Sequence, residues 1–405
     1  AYGIDAEAVL DAAAEASLLE ELTNQNDHDG VAHSQLLLAA RRFDDPKSQQ
    51  LLPSALEYFQ GAVAETPRSV WHREQLASAN MIRMDESQMR KAKEVWGSLH
   101  NEFPGVPKYR SNLAQSSTFL GICLRNRNQF AEAEQNHRYA IEIMTSLLGE
   151  FPDVPDYRSF LAAALNNLML LPRDVVDLDE AERLIDLAIT HERAAVANNP
   201  EHRRYRGYLA THFLNLANVL DNLNKRDLAI EAMRDRIELL DGLAEEIRAT
   251  YEHSLLTSQL NLCARLSEQG SLDEAERITR ETITAFRARI KRIESRPDDV
   301  NWLGASLQTL GDLLAVRGNV ADAEIVLLEA IQLQNTVLEK IPTDNQTRTF
   351  LCKHHLALAT IYKEIGDERQ AKTQMEKLLA VYPTLSVVPD STVRGAIADV
   401  LTNYD

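Results

Sequence analysis

The chain has 405 residues, with Lys+Arg 43 against Asp+Glu 61 and a formal net charge of −18. So acidic a surface repels phosphate, and nucleic acid is not an expected partner. Hydrophobic residues make up 44%, close to the globular norm, which argues against long disordered regions. Cys123, Cys263 and Cys352 lie far apart with no Cys-x-x-Cys pair, so neither a disulfide framework nor a zinc site is expected. No apolar run approaches the roughly 18 residues needed to span a bilayer.

The chain opens Ala1-Tyr2-Gly3-Ile4, without Met and without a secretory signal, and is expected to be a fragment of a longer protein. Ile4, Val9, Leu10, Leu18, Leu19 and Leu22 predict a separate helix over 4–22, followed by a polar linker from Asn24 to Gly30. Residues 31–107 are expected to form two irregular helical hairpins. One runs from His33 to Glu65. The other runs from Trp71 to Phe103, with Leu76 and Ala92 in repeat-like roles and a shorter turn.

Beyond residue 107 the chain repeats itself. Leu113, Leu161, Leu209, Leu255, Leu303 and Leu351 form one series, and Leu120, Leu168, Leu216, Leu262, Leu310 and Leu358 a second. Ala133, Ala181, Ala229, Ala275, Ala323 and Ala371 form a third, and all three step by 48, 48, 46, 48 and 48 residues. A fixed period in this range marks a solenoid, whose units bury their apolar faces only by stacking. Six regular units are therefore expected over 108–383.

In the unit 109–155, Leu113, Ser117, Leu120 and Leu124 fall on one face of a first helix, here helix A. A polar turn, Asn126-Arg127-Asn128, leads to a second, helix B, with Phe130, Ala133, Ala140, Ile143, Met144, Leu147 and Leu148. Paired prolines in Phe-Pro-Asp-Val-Pro end it. In later units Gly270, Gly318 and Gly366 suit the left-handed position that closes helix A, and the Ser, Asn or Asp that follows can cap helix B. Turns this short force the two helices antiparallel. The unit that opens at Tyr157 departs from this, since Pro172 should end its helix A early and leave a bulging loop. Residues 391–402 predict a final helix, so that 384–405 caps the array.

The first helices carry Leu-Gly at 120–121 and 310–311 and Asn-Leu at 167–168, 215–216 and 261–262. The last unit adds Tyr362, Gly366-Asp367, Ala371 and Pro383. This pattern resembles the tetratricopeptide repeat (TPR), with a period about 14 residues longer than the usual 34. The Tyr-Arg-Ser-x-Leu-Ala openings at 109–114 and 157–162 and Tyr-Arg-Gly-Tyr-Leu-Ala at 205–210 resemble the long arrays C-terminal to some bacterial serine/threonine kinases. No kinase motif is present in the chain itself. The TPR resemblance implies an all-α, right-handed α-α superhelix of about eight helical hairpins, with helices A on the concave side and helices B on the convex side. It also implies a non-catalytic scaffold that binds a protein or peptide, with no cofactor.

By that resemblance Asn167, Asn215 and Asn261 lie near the concave wall, where amides bind a partner's backbone, and Asn218 and Asn222 continue the strip. Arg125 is grouped with them as a partner-binding residue. The same amides could instead bond a neighbouring helix. Arg110, Arg158 and Arg206, each after a tyrosine, either grip carboxylates or pair with linker acids such as Asp153 and Asp156. His354 and His355 point about 100° apart on a helix and cannot chelate one metal, so no metal site is expected. Trp71, Trp96 and Trp302 read as core residues, with Trp302 aligned with Phe160, Tyr208 and Phe350. Alternatives are a ligand- or peptide-sensing domain of a bacterial signalling protein and an α/α-barrel hydrolase, which would need acids converging at one rim. A cytoplasmic location is expected from the buried, unpaired thiols, and homo-oligomers are compatible with the sequence.

Overall fold

The structure, a computed structural model, describes residues 28–41, 50–82, 85–243, 245–292 and 296–381. Among them are sixteen α-helices and no strand. They pair in chain order into eight hairpins: α1 (His28–Arg41) with α2 (Leu51–Glu65), and α3 (Val70–Ile82) with α4 (Glu86–Glu102). The next are α5 (Pro107–Asn126) with α6 (Phe130–Glu150), α7 (Pro155–Met169) with α8 (Leu178–Asn198), and α9 (Arg203–Asn222) with α10 (Arg226–Asp241). The last three are α11 (Glu245–Gln269) with α12 (Leu272–Arg292), α13 (Pro297–Val316) with α14 (Val320–Lys340), and α15 (Asn345–Glu364) with α16 (Glu368–Val381). The fold is an all-α solenoid of helical hairpins. It divides into two compact units after His212, within α9.

Small residues let the two helices of a hairpin meet. Ala133, Ala181, Ala229, Ala275, Ala323 and Ala371 are all buried. Glycine takes the facing place twice. A Cβ at Gly311 would lie 2.8 Å from Leu327 Cγ, and one at Gly121 would lie 2.5 Å from His137 Cε1. Larger side chains fill the spaces between hairpins. Unit 1 buries Phe59, Trp96, Leu120 and Met144, and unit 2 buries Phe286, Leu327 and Leu358. The three cysteines are buried thiols, and burial pushes Cys263 and Cys352 up to about 11, which makes them poor nucleophiles.

Five regular turns share one geometry. Asn128, Asn224, Gly270, Gly318 and Gly366 have φ of 61°, 60°, 87°, 79° and 80°. The next amide returns to a carbonyl five residues back, as in Gln129 N to Leu124 O at 2.9 Å and Asp367 N to Tyr362 O at 2.8 Å. This satisfies carbonyls that the helix end leaves free. Asp367 then caps α16, its carboxylate accepting from Gln370 N at 3.0 Å. Asn319 does not cap α14 as its sequence position predicts: its backbone is outside the extended region, at φ −84° and ψ 61°, and no side-chain cap bond forms.

The second regular hairpin breaks the pattern at Pro172, as expected. Helix α7 ends at Met169, Pro172 O accepts from Val175 N and Val176 N, and Val176 is buried. Asp177 restarts the chain by capping α8 through Glu180 N at 2.8 Å.

Three expectations are corrected. Helix α1 starts at His28, so Asp29 and Gly30 are helical and do not belong to a linker. Asp29 is tied down by Tyr58 Oη at 2.6 Å and His72 Nε2 at 3.1 Å, bonds that sequence spacing does not reveal. Trp71 is 40% exposed, not core; it packs edge-on against Phe59 and keeps one side outward. The arginine row is engaged within the chain, and Arg206 does meet a linker acid, Glu201, at 3.8 Å, but no member of the row pairs with Asp153. Arg110 makes a bidentate pair with Glu150 at 2.6 and 2.7 Å, and Arg158 donates to Pro152 O at 3.0 Å. Arg206 and Arg348 likewise donate to the proline carbonyls of Pro200 and Pro342. The helix expected over 4–22, the closing Pro383 and the helix expected over 391–402 lie outside the described residues.

Candidate partner-binding site

Helix A recurs at 48-residue intervals through unit 1, so residues 48 apart hold equivalent places on α5, α7 and the first half of α9. Gln115, Ala163 and Thr211 form one such row; Thr118 with Asn166, Phe119 with Asn167, and Phe160 with Tyr208 form others. With Ile122, Met144 and His212 they line a cavity of about 310 Å³. Its walls are largely aromatic and aliphatic, while its polar groups come from short side chains held by their own helices. Thr118 Oγ1 donates to Ala114 O at 3.1 Å, Gln115 Nε2 to Ser111 Oγ at 3.3 Å, and Asn167 Nδ2 to Ala163 O at 2.8 Å. Each amide oxygen or hydroxyl lone pair left over can accept from a guest.

Behind the lining lies a buried pair. Glu192, on α8, is fully buried, and its Oε2 is 3.7 Å from Nε2 of His212, which is itself 2% exposed. Neither Glu192 oxygen and neither His212 ring nitrogen makes a hydrogen bond among the described residues. Buried carboxylates are ordinarily satisfied several times over, so this acid is exceptional. Arg204 borders the same wall, with its guanidinium 5.2 Å from the centre of the Phe160 ring. Its charge is already met by Asp156, which also accepts from Tyr205 Oη at 2.7 Å.

Of the six residues singled out in the sequence, only Asn167 lines this cavity. Arg125 lies three residues beyond Ile122, on the same face of α5. It is half-buried, and burial lowers its pKa. Its guanidinium has no acidic partner among the described residues. The other four belong to unit 2. Arg265 draws several of them into the fold: its Nη2 is 2.9 Å from Asn218 Oδ1 and 2.7 Å from Asp221 Oδ2, and its Nη1 donates to Asn261 O at 3.0 Å. Asn222 Nδ2 donates to Asn218 O at 2.6 Å, and Asn215 is also engaged within the chain. Asn166, His212 and Glu192 escaped the sequence reading. The signal for Asn166 was present, since it stands 48 residues after Thr118; nothing in the repeat marks Glu192.

His354 and His355 are buried and bonded to Gln308 and Gln374, both at 2.9 Å. No group of three or more His, Cys, Asp or Glu among the described residues could hold a metal ion. No described helix is long and apolar enough to cross a membrane.

Residues 355–384 match the tetratricopeptide repeat family. Among curated proteins there is no match. Solved structures similar to the chain include BtubC (BKLC) from P. vanneervenii, at 18% identity and a TM-score of 0.49 over 62% of this chain and 91% of that one. The kinesin light chain TPR-like repeats of Podosopora anserina align at 17% identity and a TM-score of 0.43, over 56% of this chain and 97% of theirs. The apo form of RapI aligns at 13% identity and 0.42, over 67% and 98%. The family match falls in the last hairpin, which is similar to a tetratricopeptide repeat.

Proposed function

We propose that the chain is a non-catalytic interaction module that holds an extended segment of a partner protein on the helix-A face of unit 1. The observation that carries this reading is the cavity built by three successive helices A, with Asn167 in its lining and Arg125 one turn further along α5. A half-buried guanidinium without an acid is costly to keep, and a partner carboxylate would relieve it. Asn215, Asn218, Asn222 and Asn261 serve the fold first in this reading, since Arg265 occupies part of the strip. The likeness of its repeat openings to arrays that follow bacterial kinases supports a regulatory or recruitment role within a larger signalling protein.

A second reading, a domain that senses a small ligand or short peptide, draws on the same cavity. Its 310 Å³ stands at the small end of ligand pockets, which run from about 300 to 1,000 Å³. Affinity capture from a lysate of the source organism separates the two. A polypeptide retained by wild type, and lost with a folded Arg125→Ala, Asn167→Ala variant, supports the module. Equal retention by both proteins overturns this placement of the surface, and no specific polypeptide with either moves the reading to a sensor.

A further inference from the structure

The Glu192–His212 pair is not explained by packing. A carboxylate with no exposure and no hydrogen bond has lost its water without gaining donors. At 3.7 Å the His212 ring is beyond hydrogen-bond distance from it, and His212 lines the cavity. The guanidinium of Arg204, which lies over the Phe160 ring, belongs to Asp156. The cavity therefore has behind its floor a carboxylate that no described residue hydrogen-bonds. In front of that floor stand the acceptor atoms of Asn166, Asn167 and Thr211, and the aromatic faces of Phe160 and Tyr208.

We propose that this cavity takes a basic side chain of the partner segment, an arginine or a lysine, with the Glu192–His212 pair as its counter-charge. The chemistry fits in three respects. The apolar stem lies against Ile122, Met144 and the aromatic rings, as such stems do on other surfaces. The cationic head faces ring quadrupoles, and Arg204 over Phe160 already shows that a guanidinium sits favourably there. His212 lines the cavity with Nε2 turned toward Glu192, so a single side chain separates the guest from the carboxylate. The chain's net charge of −18 steers cations toward it from a distance. This inference rests on the helix-A face of unit 1 being the partner surface, and adds what that surface reads.

The test uses the full chain and two isosteric probes, N-acetyl-arginine methylamide and N-acetyl-citrulline methylamide, titrated by ligand-detected NMR. The expected result is saturable binding of the arginine probe, with the citrulline probe weaker by roughly tenfold or more because it lacks the charge. Glu192→Gln should bring the arginine probe down to the citrulline level. Equal binding of the two probes to wild type overturns the proposal without reference to any variant, as does undiminished arginine binding by folded Glu192→Gln. The outcomes also separate this claim from the one beneath it. A captured partner whose bound segment has no basic residue refutes the basic-side-chain pocket alone. Arginine binding with no captured polypeptide refutes the interaction module alone.

Discussion

Asp312 stands on α13 where earlier helices A carry Asn218 and Ala264. Its carboxyl reaches solvent yet is crowded by protein, and this desolvation pushes it from 3.8 up to about 6, against the opposing bond from Gln308. Between those values the native state holds more protons than the unfolded chain, so stability falls as pH rises through that window. Asp312→Asn should therefore raise the melting temperature near pH 7 and lose its effect below about pH 4; a lower melting temperature at pH 7 would contradict this assignment. His137 and His354 act with the opposite sign. Burial depresses both from 6.5 to about 3, so the unfolded chain takes up protons first as pH falls below 6.5, and acid destabilises the fold. Each contributes up to about 1.4 kcal/mol per pH unit in that range, measurable as the slope of denaturant midpoints against pH. At this scale the sequence was least legible. Asn167 and Asn215 hold one place in the repeat, yet only Asn167 lines the cavity. The difference is set by which residue a neighbouring helix presents, and spacing along one helix does not carry it.

At the scale of helices and turns, legibility was high because the rules are local. The packing alanines are buried and the glycines that close helix A have the expected positive φ, whereas Asn319 does not cap its helix and the linker expected to reach Gly30 gives way to helix at His28. The structure adds a ladder on helices B that the sequence reading missed. Arg90 pairs with Glu132, Arg138 with Glu180, Arg234 with Glu274 and Arg287 with Glu329, at 2.6 to 3.0 Å, each joining consecutive helices B. These pairs are partly exposed and each is worth no more than about 1 kcal/mol, so they set register more than stability. Two substitutions test the hairpin geometry by chemical denaturation. Ala229→Leu should overpack its hairpin and cost about 1–3 kcal/mol; an unchanged midpoint would show that the alanine is not the close-approach residue. Gly318→Ala forces a Cβ into a left-handed turn at φ 79° and should cost about 1–2 kcal/mol.

For the molecule as a whole, the fold class followed from the period, because stacking is the only way such hairpins can bury their faces. The division into two units after His212 has no counterpart in the spacing of the leucines and alanines. Nor does the location of the cavity, which needs three helices A and a buried acid from a helix B to be seen together. That cavity is the basis for placing the partner on unit 1. The most direct test puts a photo-crosslinking amino acid at Ala163, in the cavity lining, and in a second protein at Leu187, which is 50% exposed on α8. Irradiation in cells of the source organism should yield a discrete crosslinked polypeptide from position 163 and none from position 187. Crosslinks from 187 alone would contradict the account and move the partner to the helix-B side.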